Sequence, residues 1–257
     1  MIGLLGKKLG MTHIYDPYGR RLAVTVVQAG PCTIVGLRDP KQHGYQAIQL
    51  AFEPVSEKKL SKPLAGQFTK AGTAAFRYVR EFRIRPVPGS SRSEVPGTGT
   101  EFKIGQQLTV ELFKPYELVD VLGISIGKGF QGGVKRWGWK GGPQTHGSMS
   151  HRAPGSIGST TTPGRVFRGH HLPGHMGADR VTVQNIRIVQ LDPAHHLLLV
   201  EGAIPGSDQG LVMISKSMKR LNVVKEPQPF QVIIEEDENL SKTAKAASKK
   251  PKQQAKA

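Results

Sequence analysis

The sequence predicts a mainly β protein, an antiparallel barrel or sandwich interrupted by one long, irregular segment. Three observations predict it. Short apolar runs recur between turn signals toward both ends of the chain, while only one short stretch has helical character. Between Val121 and Ala178 the chain runs 58 residues without an Asp or Glu. That stretch holds fifteen of the 31 glycines, seven Lys or Arg, five His and both Trp, too few apolar residues to build a core of its own.

Taken in order, the strand-like runs are Leu22–Val27, Thr33–Leu37, Tyr45–Phe52, Tyr78–Ile84 and Leu108–Leu112. Asp16-Pro17-Tyr18-Gly19, Gly30-Pro31 and Gly44 punctuate them as turns. The helix candidate is Pro63–Ala71, stopped by Gly72. Beyond the acid-free stretch, Val181–Leu191 and Leu197–Ile204 bracket Asp192-Pro193-Ala194-His195-His196 as a hairpin. Apolar parity shifts between Val183 and Ile186, which predicts a β-bulge. Leu211–Ser217 is one more strand. The expected organisation is a discontinuous globular domain of residues 1–122 and 179–222, an extended Gly-rich basic loop of residues 123–178, and a C-terminal extension of residues 223–257. Pro86–Gly99 reads as a surface loop, Phe230–Ile234 as a possible strand, and Ser241–Ala257 as a disordered Lys-rich tail.

Charge names the partner class. Thirty-six Lys plus Arg against 19 Asp plus Glu give a net charge of +17, which favours a phosphate backbone or an anionic membrane. No apolar run approaches the ~20 residues that span a bilayer, and no basic amphipathic helix is present, so no membrane partner is expected. The N-terminus carries Lys7 and Lys8 before any apolar region and reads as lacking a signal peptide. The single Cys32 excludes an internal disulfide and a multi-Cys zinc site, and suits a reducing, cytoplasmic setting. An acid-free segment alongside a polyanion avoids repulsion, which points to nucleic acid.

Enzymatic readings fail one by one. Gly127-Lys128-Gly129-Phe130-Gln131-Gly132 spells a dinucleotide fingerprint, but no amphipathic helix follows and no acidic residue stands about 20 positions on. A Walker A loop fails because Gly123 to Gly127 is one residue short and Lys128 precedes Gly. His146 and His151, or His170, His171 and His175, lack a completing Cys, Asp or Glu, so no metal site is expected. Ser148, Ser150 and Ser156 lack a local acid to orient a His base. No catalytic residue, cofactor or small-molecule substrate is expected.

The segment's residues suit RNA instead. Lys7, Lys8, Lys128, Lys135, Arg136, Lys140, Arg152, Arg165 and Arg168 are candidate phosphate contacts. His146 and His151 suit phosphates, 2′-hydroxyls or base edges. Trp137 is poised between a place in a core and stacking on a base, and Trp139 leans toward RNA or a neighbouring protein. An RNA-modifying enzyme with a basic arm, or a free-standing RNA-binding module, is the rival reading.

The start Met1-Ile2-Gly3-Leu4-Leu5-Gly6-Lys7-Lys8-Leu9-Gly10-Met11-Thr12 resembles the N-terminal hallmark of the bacterial-type universal large-subunit ribosomal protein L-three family. Phe113, Asp120, Gly123, Ser125, Gly127, Lys128, Gly129, Gly132 and Arg136 match its signature. His146-Gly147, Ser150-His151-Arg152, Pro154-Gly155-Ser156-Ile157-Gly158, Thr162-Pro163-Gly164 and Val181-Thr182-Val183-Gln184 continue the match, which covers about residues 1–221. The resemblance implies a β-barrel domain with a small α+β insertion and a long loop that threads through large-subunit (23S-type) rRNA. It implies that Pro154, Gly155, Ser156, Ile157, Gly158 and Ser159 form a tip near the peptidyl transferase centre, and that the protein supports early subunit assembly beside other ribosomal proteins in the cytoplasm. Ser159 stands where many bacterial relatives carry a methylated Gln, so that modification is not expected here. The loop 86–99 is longer than usual in the family, and the tail beyond Leu221 has no counterpart in it.

Overall fold

A computed structural model describes residues 3–84 and 102–219. The expected loop Pro86–Gly99, the possible strand Phe230–Ile234 and the Lys-rich tail lie outside the described residues. In chain order the elements are β1 (Gly3–Tyr15), β2 (Arg21–Ala29), β3 (Cys32–Arg38), α1 (Pro40–His43), β4 (Ala47–Pro54), a 3₁₀ turn (Glu57–Lys59), α2 (Lys62–Ala71) and β5 (Phe76–Arg83). There follow β6 (Gln107–Leu108), a second 3₁₀ turn (Val110–Leu112), β7 (Leu118–Ile124), β8 (Gly129–Gln131), α3 (Gly133–Trp137), β9 (Gly174–Met176), β10 (Arg180–Asp192), β11 (Leu197–Glu201) and β12 (Leu211–Lys216).

Six strands close into an antiparallel barrel in the order β1-β12-β7-β10-β11-β2. The β1–β2 hairpin turns where Asp16-Pro17-Tyr18-Gly19 demanded it: Gly19 N–H donates to the Asp16 carbonyl at 2.8 Å and Tyr18 N–H to Asp16 Oδ1 at 3.1 Å. Asp192 pairs with Leu197 across the β10–β11 turn. Its carboxyl accepts from His195 Nδ1 at 2.7 Å, and that bond holds its pKa below the usual range.

A four-stranded sheet, β5-β4-β3-β6, packs one face on the barrel. Leu4, Leu5, Val121, Ile188, Leu198 and Ile214 from the barrel share one core with Ile34, Ile48, Leu50 and Phe82 from this sheet. Each such side chain contributes ~1.5–3 kcal/mol on burial. Gly3 sits at the seam, where a Cβ would strike the Ile214 carbonyl and the Phe82 ring. The other face is covered by α2, whose Phe68 packs with Val35, Ala51 and Phe76. Pro63 starts that helix, and left-handed Gly72 ends it with Thr73 N–H bonded to the Phe68 carbonyl at 3.1 Å. The sheet and α2 together form the small α+β insertion.

The parity shift in β10 is a bulge. Val183 faces Val121, yet Ile186 faces Val119. Asn185 takes a left-handed φ of 58°, its N–H bonded to Asp120 Oδ1 at 2.9 Å and its Oδ1 accepting from Ser217 Oγ at 2.6 Å. Asp120 thus fixes the irregularity from the neighbouring strand.

Two expectations change. Leu108–Leu112 is not one strand: pairing with β3 ends at Leu108 and residues 110–112 wind into a 3₁₀ turn. That turn places Val110 and Phe113, three apart, both in the core as the chain crosses toward β7. The strands β1 and β7 also lack a run among those read from the sequence, because Leu4-Leu5 and Leu118-Val119 are buried side by side rather than in alternation.

Two titratable groups, the buried Cys32 and the part-exposed Glu81, give tests. Burial pushes the Cys32 thiol up to about 12, although its hydrogen bond with the Leu5 backbone opposes this. Native protein at pH 8 should therefore resist alkylation at Cys32 and react fully in denaturant; rapid native labelling, read by mass spectrometry, would refute the placement. Burial raises the Glu81 pKa, but hydrogen bonds from Gln49 (2.8 Å), Tyr45 (2.9 Å) and Arg38 (3.2 Å) outweigh it and the value is lowered. A lowered carboxyl pKa contributes stability that is present above the unfolded value and is lost as pH falls through the folded one. Urea midpoints of Glu81→Gln should therefore sit below wild type at pH 7 and converge with it toward pH 3.

Candidate nucleic-acid interface

The long segment leaves the barrel at the end of β7 and returns at the start of β10, and these strands are neighbours, with Ile124 opposite Arg180. The pairing carries on past the barrel. Ser125 N–H donates to the Asp179 carbonyl at 2.9 Å, Asp179 N–H to Ser125 Oγ at 3.1 Å, and Lys128 N–H to the Met176 carbonyl at 2.9 Å. Then β8 and β9 pair Gly129 with Met176 and Gln131 with Gly174. The dinucleotide-like motif lies across this two-stranded ribbon.

Next the chain forms α3, where the sequence predicted no amphipathic helix. It is a single turn, ended by left-handed Gly138, whose N–H bonds the Val134 carbonyl at 3.1 Å. Gly133 is required there because the Trp139 indole lies flat on it, leaving no room for a Cβ. The two arms are then clamped together. Arg136 Nη1 and Trp137 Nε1 both donate to the Leu172 carbonyl, at 2.7 and 2.9 Å. The Trp137 ring stacks on His171 at 4.1 Å with planes 6° apart, and the Arg136 guanidinium lies 4.8 Å from the Trp137 centroid.

Past the clamp, Gly142 N–H bonds the His151 carbonyl at 3.0 Å and His151 Nδ1 donates to the Pro143 carbonyl at 2.8 Å. Among the described residues, 152–166 make no backbone–backbone hydrogen bond, and none of residues 143–170 is buried. This stretch contains His146 and the whole of Pro154, Gly155, Ser156, Ile157, Gly158 and Ser159.

The predicted cations divide into two groups. Lys128, Lys135, Lys140, Arg152, Arg165 and Arg168 are exposed on the arm, and among the described residues none forms a salt bridge. Lys7 and Lys8 lie on the barrel and face inward partners: Lys7 Nζ meets Glu53 Oε1 at 3.3 Å, and Lys8 Nζ donates to the Ile204 and Gly206 carbonyls at 3.3 and 3.1 Å. Arg136 and Trp137 are turned toward the arm's own interior, with Trp137 still 42% exposed. Exposed apolar residues to which the sequence reading gave no contact role are Phe130, Met149 and Phe167, at 76%, 99% and 63% exposure. Their signal was an apolar residue inside a segment with no core to join. Among the described residues no three His, Cys, Asp or Glu side chains converge as a metal site, and no helix is long and apolar enough to cross a membrane.

A closed barrel carrying a cationic arm free of carboxylates defines a class of basic structural proteins whose arm suits a polyanion. Comparison with known proteins gives the family. The family model described as Ribosomal protein L3 matches residues 89–196. The large ribosomal subunit protein uL3 of Geobacter metallireducens is 46% identical over 217 residues, covering 84% of this chain and 98% of the relative. Those of Thermosynechococcus vestitus and Acidothermus cellulolyticus are each 46% identical, over 83% and 84% of this chain and 95% and 93% of theirs. The chain belongs to the bacterial-type ribosomal protein L3 family, whose members are structural components of the ribosome and not enzymes.

The hydrogen-bond pattern predicts a gradient of amide exchange in the free protein. The ribbon and α3, residues 125–138 and 172–179, should exchange more slowly than residues 152–166, and the barrel strands most slowly of all. Uniform protection across 125–179 in a mass-spectrometric time course would contradict it.

Proposed function

We propose that the chain is a structural constituent of the large ribosomal subunit that holds large-subunit (23S-type) rRNA with its arm, supports early subunit assembly, and directs residues 154–159 toward the peptidyl transferase centre. The relatives' names support the large-subunit assignment, and with it neighbouring ribosomal proteins as partners and a cytoplasmic setting. One observation carries the RNA reading. Six exposed Lys and Arg line an arm that has no carboxylate between Val121 and Ala178, so their counter-charges come from a partner.

In this reading the globular domain, residues 1–122 and 179–222, is a seat, and residues 123–178 reach into folded RNA. Affinity comes from neutralised phosphates; specificity comes from the shape of the RNA, because the arm has no helix long enough to read a groove. The stiff root, clamped at Leu172, sets the arm's direction. The distal part, without buried residues, takes its final path from the RNA around it. The direction toward the catalytic centre rests on the family resemblance of His146–Gly164.

Replacing Arg152, Arg165 and Arg168 together by Gln tests this reading. Incorporation into large subunits should weaken, and the dependence of log K on log salt should flatten by about 2–3, since each lost phosphate contact removes roughly 0.7–0.9. Unchanged incorporation at every salt concentration would count against these residues as phosphate contacts.

A further inference from the structure

The arm folds around an open cavity of about 630 Å³. Trp139, Gly142, Ser150, Ser156, His170 and His171 are among the residues that line it. These come from parts of the sequence up to about 30 residues apart, drawn together by the Leu172 clamp and by the Gly142–His151 bond. Its volume lies within the ~300–1,000 Å³ of small-ligand sites.

The walls narrow what can enter. Trp139 is a flat aromatic wall pinned by its contact with Gly133. Among the described residues the His170 ring has no hydrogen-bond partner, whereas its backbone N–H is bonded to the Phe167 carbonyl at 3.3 Å. Imidazole and serine hydroxyl groups can both donate and accept, so they can meet the edge of any base. No carboxylate lies in the segment, and the exposed Lys140 and Arg168 adjoin lining residues in the sequence. A planar, π-faced group tethered to phosphate satisfies all of these features.

We propose that this cavity holds one nucleobase of the rRNA, unstacked from its neighbours and laid against Trp139, with its edge met by His170 and the Ser150 and Ser156 hydroxyls. The arm would then grip the RNA by a single extruded base as well as by phosphates, which fixes its axial position. Every base has a π-face, so stacking supplies hold and the polar rim supplies preference. This deepens the RNA reading above and rests on it.

The test uses large subunits containing the full chain. After ultraviolet irradiation, nuclease and trypsin digestion, the peptides Trp137–Lys140 and Gly169–Arg180 should carry a nucleotide adduct on Trp139 or His170 that maps to one dominant rRNA position. Adducts on Gly141–Arg152 or Ala153–Arg165, with none on Trp139 or His170, would overturn the base site while leaving RNA contact intact. Adducts nowhere on the arm would overturn both. Ala153→Phe adds a ring to the wall that Ala153 shares with Trp139 and competes with a base for that part of the space. In assembled subunits it should make the mapped base at least about five-fold more reactive to chemical probing, the lower end of what losing an aromatic stack implies. Trp139→Phe should leave that base protected. Unchanged protection in Ala153→Phe subunits would overturn the site, and so would a free mononucleotide rather than an rRNA position in the adduct.

Discussion

Everything distinctive about this protein depends on the antiparallel pairing of β7 with β10. Because these strands are neighbours, the two ends of the arm emerge side by side, and their hydrogen bonds run on into the β8–β9 ribbon. The bulge at Asn185 is part of the same arrangement. It restores the inward parity of Ile186 and Ile188 after the outer half of β10 has served the arm, and Asp120 on β7 holds it in place. A barrel core and an arm root that make different demands on one strand are reconciled by a single extra residue.

Charge is sorted by the same architecture. Five acids of the barrel and insertion face bases close by: Asp16 with Arg20, Glu53 with Lys7 and Arg77, Glu81 with Arg38, Glu117 with Lys216 and Glu201 with Arg187. Apart from those of the buried Asp16 and Glu117, these pairs are part-exposed and add little stability individually. Their effect is on the field. The globular part interleaves acids with its bases, whereas the arm carries seven Lys or Arg and no acid, so positive potential is least compensated along the arm.

Much of the fold was legible because β2, β4, β10 and β11 display apolar runs bounded by recognisable turns, and even the bulge left a parity signature at Val183 and Ile186. What escaped had physical causes. β1 buries Gly3 through Gly6 without a break, and β7 opens on adjacent buried Leu118 and Val119 before it alternates, so neither strand starts on a period-two pattern. Val110–Leu112 looked extended but is a turn that sets buried Val110 and the following buried Phe113 three apart. On the arm, exposed cations could be read directly, since nothing nearby could pair with them. The inward use of Arg136, Trp137 and Lys8 could not be read. Each depends on backbone carbonyls that are distant in sequence, Leu172 in the first two cases and Ile204 and Gly206 in the third.

The double hydrogen bond on the Leu172 carbonyl has a consequence for how such an arm can vary. It closes the distal part into a loop of its own, anchored by Trp137 Nε1 from 35 residues away. Insertions or deletions between the clamp's two sides leave the ribbon and barrel in register. Closing a longer loop costs only ~0.6 kcal/mol per doubling of its length. Since the chain goes out and back, each pair of residues added there extends the reach by roughly 3.3–3.6 Å. The length of the probe is therefore a free parameter of the scaffold, adjustable in increments of about one residue's span without re-engineering the base that aims it.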